Sequence, residues 1–183
     1  SGVPITPAED EARCFTLTCK CIVDDNESNR IASTEEEILF NINDSAKKFF
    51  TKYLFGTKGS KALSYLRDRG LTLNTIREFQ LGPSPSKNDE LIIFLKEEGF
   101  EEHHIEKSGL VIKPENRPFV DRFRNRVMFP ISNLDDRVVA FGGRSLNTSY
   151  GAKYINSAET KVFKKGSLLF NLKKAQKNNK KNL

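Results

Sequence analysis

The stretch Phe123–Ser145, FRNRVMFPISNLDDRVVAFGGRS, decides the fold prediction because two apolar runs flank a short polar segment. Side chains alternate between two faces along a strand, and the residues from Val127 to Ile131 follow that period. Val138 to Phe141 supply the partner strand of a hairpin around a loop at Asn133 to Asp136. Proline lacks an N–H donor, so Pro130 places the first strand at a sheet edge or at a bulge.

Three arginines and two glycines surround this hairpin. Arg124 and Arg126 are two residues apart, which predicts that they share a strand face and can grip successive phosphates. Gly142 and Gly143 have no Cβ, which lets the backbone approach a ligand closely. Arg144 then offers a planar guanidinium that suits phosphate. We therefore expect the hairpin to form one wall of an anion-binding groove.

The residues before the hairpin predict helices. Residues 34–37 match a capping box, and the helix that follows should stop at Gly56. A second helix should end before Gly70, a third spans Leu73 to Phe79, and the PSPS stretch at Pro83 to Ser86 predicts a linker. Further short elements are expected as helices at 91–100 and 101–110, strands at 111–112 and 154–155, and a closing helix at 167–176. A helical half followed by a small, mostly antiparallel sheet is an α+β pattern.

The positive charge of the chain is concentrated in its last third. The 183 residues have a net charge of +6, but residues 117–183 carry 15 basic and 4 acidic side chains. Such a one-sided field favours a polyanionic partner, although the lysine-rich end at 176–183 is also typical of a solvated tail. No apolar run of about 18 residues occurs, so we expect no membrane span. The opening residues also lack the features of a secretory signal.

Residues 1–33 show no clear periodicity and are predicted to be disordered or foreign to the domain that follows. Their three cysteines, Cys14, Cys19 and Cys21, do not have the paired spacing of a zinc site, which favours reduced thiols over a metal centre. The sequence thus divides into an N-terminal segment at 1–33, a domain at 34–175 and a basic tail at 176–183.

Five motifs in a fixed order carry a resemblance to a known family. YLRDRGL, FRNRVMFPI, VVAFGGRSL, AKYINSAET and FKKG resemble the motifs of bacterial-type replicative DNA primases, over roughly residues 34–172. Lys164 and Ala158 depart from the usual histidine and proline of these motifs. The resemblance implies the N-terminal subdomain of the primase RNA polymerase core, with a basic groove on the sheet side. It implies contacts to nucleic acid from Arg69, Arg124, Arg126, Arg144, Lys153 and Lys165, and contacts to a nucleotide from Lys153 and Asn156.

The resemblance also implies the setting in which these residues act. The expected partners are single-stranded DNA template, nucleoside triphosphates and an RNA primer–DNA hybrid, with a replicative helicase bound through a C-terminal domain absent from this sequence. The parent protein is expected to use magnesium or manganese and zinc. The sequence stops where the metal-binding Toprim subdomain should begin, so we expect no catalytic residue and no metal site here, and no primer synthesis by the chain alone. The implied location is the bacterial cytoplasm, at the nucleoid, or an organelle of bacterial origin.

Two other functions compete with this interpretation. The chain could be an enzyme that binds small phosphorylated molecules through AFGGRS, which follows a strand but lacks the GxxxxGK[ST] and GxGxxG spacings. It could instead be a protein-interaction module whose basic face meets an acidic partner.

Overall fold

The computed structural model describes residues 34–147 and 151–166, and these residues form five helices and six strands. The helices are α1 (Glu35–Phe55), α2 (Ser60–Asp68), α3 (Leu73–Glu78), α4 (Glu90–Glu97) and α5 (Glu102–Lys107), with a 3₁₀ turn at Thr57–Gly59 before α2. The strands are β1 (Gly82–Pro83), β2 (Val111–Ile112), β3 (Val120–Asp121), β4 (Arg126–Ser132), β5 (Val138–Ser145) and β6 (Tyr154–Asn156). None of the described helices is both long enough and apolar enough to span a bilayer. The predicted segment 1–33, closing helix at 167–176 and tail at 176–183 lie outside the described residues.

The hairpin predicted from the sequence forms the centre of the main sheet. Four antiparallel strands pair in the order β1-β4-β5-β6, and β2 and β3 form a separate antiparallel ladder. Strand β1 reaches only Val127 and Met128 of β4, so Pro130 lies beyond it, where this side of β4 is a sheet edge within the described residues. The missing N–H of Pro130 therefore costs no ladder hydrogen bond on that side. The α+β architecture predicted from the sequence is confirmed.

Helix α1 covers the inner face of this sheet. Its N-cap Thr34 accepts a hydrogen bond at Oγ1 from the amide of Glu37 at 3.3 Å, as the capping pattern predicts. One face of the helix is buried through residues spaced three and four apart, namely Leu39, Ile42, Asn43, Ala46, Phe50 and Leu54. The Phe50 ring meets that of Phe141 on β5 edge-on, with 5.5 Å between ring centroids. Burial of this apolar face against the sheet holds the two halves of the domain together.

The linker predicted at Pro83 to Ser86 is wrong for most of its length, because Leu81 to Pro85 are buried. Gly82 and Pro83 form the edge strand β1, where a proline that donates no hydrogen bond is tolerated. Ser84 extends the contact of this segment with β4, since its amide donates to the Arg126 carbonyl at 2.8 Å. The Ser84 hydroxyl in turn accepts from the Arg126 amide at 3.0 Å. Proline and serine indicated a turn here, and pairing with β4 overrides that local preference.

A buried carboxylate attaches the sheet side to helix α4. Asp121 is 1% exposed, and its two oxygens accept the amides of Leu91 and Ile92, in the first turn of α4, at 2.9 and 3.1 Å. Burial raises the pKa of Asp121 to about 6, although the two amide hydrogen bonds lower it. The contact fixes the segment that leads from β3 into β4.

Candidate functional site

The outer face of the sheet, opposite the side chain of Phe141, carries two rows of side chains. Alternation along β5 directs Phe141 and Gly143 toward α1 and directs Gly142 and Arg144 outward. Pairing between the strands then aligns neighbours on the outer face. One row is Phe129, Gly142 and Asn156, and the other is Val127, Arg144 and Tyr154.

Two recesses open on this face, and Arg144 lines both of them. The larger has a volume of about 550 Å³ and is lined by Phe129, Ile131, Gly142, Gly143, Arg144, Tyr154, Asn156, Phe163, Lys165 and Gly166. The smaller has a volume of about 270 Å³ and is lined by Tyr65, Arg69, Arg144, Ser145, Leu146 and Lys153. Helix α2 therefore contributes to the site as well as the sheet. Arg144 forms the ridge between the two recesses.

Arg144 lies between two tyrosines. Its guanidinium donates to the Tyr154 hydroxyl at 2.6 Å. The same group lies 5.5 Å from the ring centroid of Tyr65 and 5.3 Å from that of Tyr154, within the range of cation–π contacts. Tyr154 is 58% exposed, so its ring is available to a ligand. The sequence analysis did not predict a role for either tyrosine. The one indication in the sequence was that Tyr154 directly follows a lysine and belongs to no apolar repeat.

The basic side chains around the recesses lack acidic partners. Arg69 and Lys153 at the smaller recess, and Lys165 at the larger one, are exposed, and Arg144 is half-buried. None of these four forms an ion pair within residues 34–147 and 151–166. Their charge is therefore free to act on a bound anion.

Some basic side chains elsewhere in the described residues are paired with carboxylates. Glu35 is bound by Lys107 and Lys161, whose hydrogen bonds lower its pKa to about 2. Glu37 holds the Arg137 guanidinium through two hydrogen bonds of 2.6 and 2.7 Å. We call the cations without acidic partners that line the two recesses the basic face: Arg69, Arg144, Lys153 and Lys165.

Arg124 and Arg126 do not join the basic face, and the prediction that they share a strand face is wrong. Asn125, between them, has a left-handed backbone with φ of 51°, and β4 begins only at Arg126. Arg126 is 7% exposed and donates to the carbonyls of Gly143 and Ala152 at 3.3 and 2.9 Å. Arg124 donates to Asn88 Oδ1 at 2.8 Å. Neither arginine lines either of the two recesses described above.

The two glycines of β5 have different roles. A Cβ on Gly143 would lie 2.8 Å from Cδ1 of Phe123, so this glycine is required by internal packing. A Cβ on Gly142 would meet only Asn156 Oδ1, at 3.4 Å, and would project over the larger recess. Of these two glycines, only Gly142 would place an added Cβ on the side of the larger recess. Both glycines lie within a paired strand rather than between a strand and a helix, which argues against a phosphate-binding loop.

The residues of the recesses do not fit a divalent metal ion. Mg²⁺ prefers carboxylate oxygens, and none of the described residues that line the two recesses is acidic. A group with potential ligand atoms within 4.8 Å of one another occurs at Glu101, His103 and His104, outside both recesses. The three cysteines lie outside the described residues.

Comparison with known proteins identifies the class of the chain. Residues 49–176 match the model of the N-terminal domain of the DNA primase catalytic core. A DNA primase from Clostridium acetobutylicum is 40% identical over 159 residues, which cover 86% of this chain and 26% of that protein. The chain therefore belongs to the bacterial-type DNA primase family, as the sequence motifs indicate, and it spans about a quarter of the length of this relative.

Solved structures agree with this assignment. A DnaG primase catalytic domain bound to single-stranded DNA superposes with a TM-score of 0.71 at 34% identity, over 79% of this chain and 46% of that one. The zinc-binding and RNA polymerase domains of the Aquifex aeolicus primase give a TM-score of 0.71 at 32% identity, over 81% of this chain and 36% of that one.

Proposed function

We propose that the basic face holds single-stranded DNA template and nucleotide during RNA primer synthesis. The observation that carries the proposal is the set of cations without acidic partners around two adjoining recesses, whereas Lys107 and Arg137 are held by carboxylates of α1. Arg144 and Lys153 would contact phosphates, and Tyr154 would stack on a base, as exposed aromatic rings do in single-strand binders. Asn156, beside Gly142 in the larger recess, would contact the nucleotide. A related primase domain bound to single-stranded DNA supports this assignment.

The chemical step itself is assigned to residues outside the two recesses. In-line transfer of a nucleotide needs divalent metals held by carboxylates, which the recesses do not offer. We infer that Mg²⁺ or Mn²⁺ and zinc belong to other parts of the parent primase. Binding of a replicative helicase is likewise proposed for another part of the parent. This chain would supply template and nucleotide binding and would make no primer alone.

Fluorescence anisotropy of a labelled oligothymidylate at several salt concentrations tests the binding role. Each phosphate contact on a single strand contributes about −0.7 to the slope of log K against log salt, so three or four contacts predict a slope of roughly −2 to −3. Replacing Arg144 and Lys153 by alanine should weaken binding and flatten the slope by about 1.4. Phosphate contacts carry no base information, so the loss should be similar for all sequences.

Lys48→Ala is a matched control, because it removes one positive charge that is already paired with Asp44. A second control replaces Lys180 and Lys181 in the basic tail. Binding that depends on the tail lysines and not on Arg144 and Lys153 would refute the proposal. A nucleoside triphosphate should compete with the DNA, whereas a basic protein-interaction module would show no such competition.

A further inference from the structure

Two arginines hold the backbone of β6 at its two ends. Arg126 donates to the Ala152 carbonyl at 2.9 Å, two residues before Tyr154. Arg122 donates through Nε to the Asn156 carbonyl at 3.0 Å, at the last residue of the strand. We propose that Arg122 and Arg126 are positioning residues that clamp β6 and thereby place the basic face.

Strand β6 needs such support because its own pairing is short. It has three residues and pairs with β5 at three positions only. A strand of this length gains little from its ladder. Yet it carries Tyr154 and Asn156 and directly follows Lys153, so its placement sets three of the side chains proposed to meet the ligand. Bonds from two guanidinium groups, one to the residue that ends β6 and one to Ala152 just before it, restrict the strand without adding a side chain to the recess.

Arg126 is suited to this role and poorly suited to direct contact with DNA. It is 7% exposed, and its Cδ lies 3.1 Å from the position that a Cβ on Gly143 would occupy. It forms no ion pair with any described residue, so its charge is satisfied by the carbonyls of Gly143 and Ala152. A buried charge requires such hydrogen bonds. Its Nη1 is thus already bonded to two carbonyls, one on β5 and one before β6.

A double-mutant cycle between Arg126 and Lys153 tests the clamp through binding and rests on the proposed function. The probe is fluorescein-labelled oligothymidylate, titrated with the full chain at several salt concentrations. Arg126→Ala should weaken binding roughly threefold to tenfold, the value of one ordinary hydrogen bond. In the Lys153→Ala background the same change should cost less and should leave the salt slope unchanged. A direct phosphate contact would instead be additive and would remove about 0.7 from the slope in both backgrounds.

The conservative variant Arg126→Lys separates the two roles further. Lysine keeps the charge, but its side chain is one bond shorter and does not reach the position of Nη1, which bonds both carbonyls, so it should bind as weakly as Arg126→Ala. Retention of wild-type affinity by Arg126→Lys would overturn the proposal. Arg117→Ala serves as the matched control, because it removes an exposed arginine from another part of the fold.

Amide hydrogen exchange tests the clamp without any ligand. The Ser145 amide donates to the Lys153 carbonyl, and the Ser157 amide donates to the Phe141 carbonyl, both at 2.9 Å. Both amides should exchange faster in Arg122→Ala and Arg126→Ala and at the wild-type rate in Lys153→Ala. Unchanged exchange in the two arginine variants would refute the clamp even if the face binds DNA. Faster exchange with no loss of binding in the Arg144 and Lys153 variants would instead refute the proposed function alone.

Discussion

Replacing each of the neighbouring glycines of β5 by alanine adds one methyl group, and we expect the two changes to affect stability differently. In Gly143→Ala the new Cβ would lie 2.8 Å from Cδ1 of Phe123, which is 1% exposed and cannot rotate away freely. Overpacking of this kind costs about 1–3 kcal/mol. Gly→Ala regains roughly 0.4–1 kcal/mol by restricting the unfolded chain, so a net loss of about 1–2 kcal/mol is expected. In Gly142→Ala the Cβ meets Asn156 Oδ1 at an ordinary 3.4 Å, so stability should be unchanged within about 0.5 kcal/mol.

Thermal unfolding followed by circular dichroism measures the difference. The Tm of Gly143→Ala should fall by roughly 2–8 °C for a chain of this size. Adding Phe123→Leu should make the Gly143→Ala change less costly than it is in the wild type, because the smaller side chain vacates the space that the methyl enters. Gly142→Ala should keep its Tm but bind oligothymidylate more weakly, since its methyl projects over the larger recess. The reasoning fails if Gly143→Ala is as stable as the wild type, or if Gly142→Ala is the more destabilised of the two.

Two further predictions concern buried polar groups. Because burial raises the pKa of Asp121 to about 6, its contribution to stability is present below the ordinary pKa of 3.8 and is lost as pH rises through about 6. Urea unfolding between pH 4 and pH 7 should therefore show a pH dependence that Asp121→Asn reduces, and an unchanged dependence would contradict the assignment. Both polar atoms of the Asn43 side chain are buried without a partner among the described residues, so Asn43→Leu should raise the free energy of unfolding by about 1 kcal/mol. A fall in stability would mean that the amide is satisfied in solution.

The hairpin could be predicted from the sequence because its signals were local. Alternation from Val127 to Ile131 marks a strand whatever lies beside it, and the capping residues before α1 act within one turn. The failure at Pro83 has a different cause. A short Pro-Ser stretch carries no period of its own, and only its partner β4, more than 40 residues later, makes it a strand. Long-range pairing of this kind leaves no trace in a local pattern.

The site was only partly predictable for the same reason. Spacing assigned Arg124 and Arg126 to one strand face, but spacing does not reveal that Asn125 leaves the strand conformation. Nor does it reveal that a buried guanidinium meets carbonyls from elsewhere in the chain. Tyr65 reaches Arg144 because α2 packs beside the sheet, and nothing in its own helix indicates this contact. The motif resemblance named basic residues without distinguishing those that line the recesses from those that bond to backbone carbonyls.

The last third of the chain holds many more basic side chains than are free to contact phosphate, because several of them are engaged in other contacts. Residues 117–183 hold 15 basic side chains, and contact of all of them with phosphate would give a salt slope near −10. Arg137 and Lys161 neutralise carboxylates of α1, and Arg122 and Arg126 satisfy backbone carbonyls. Arg69, which directly follows α2, adds one cation to the basic face from outside the last third of the chain. Four contacts from the basic face predict a slope of about −2.8, so a measured slope near −10 would mean that the paired and backbone-bound cations also contact DNA, against this assignment.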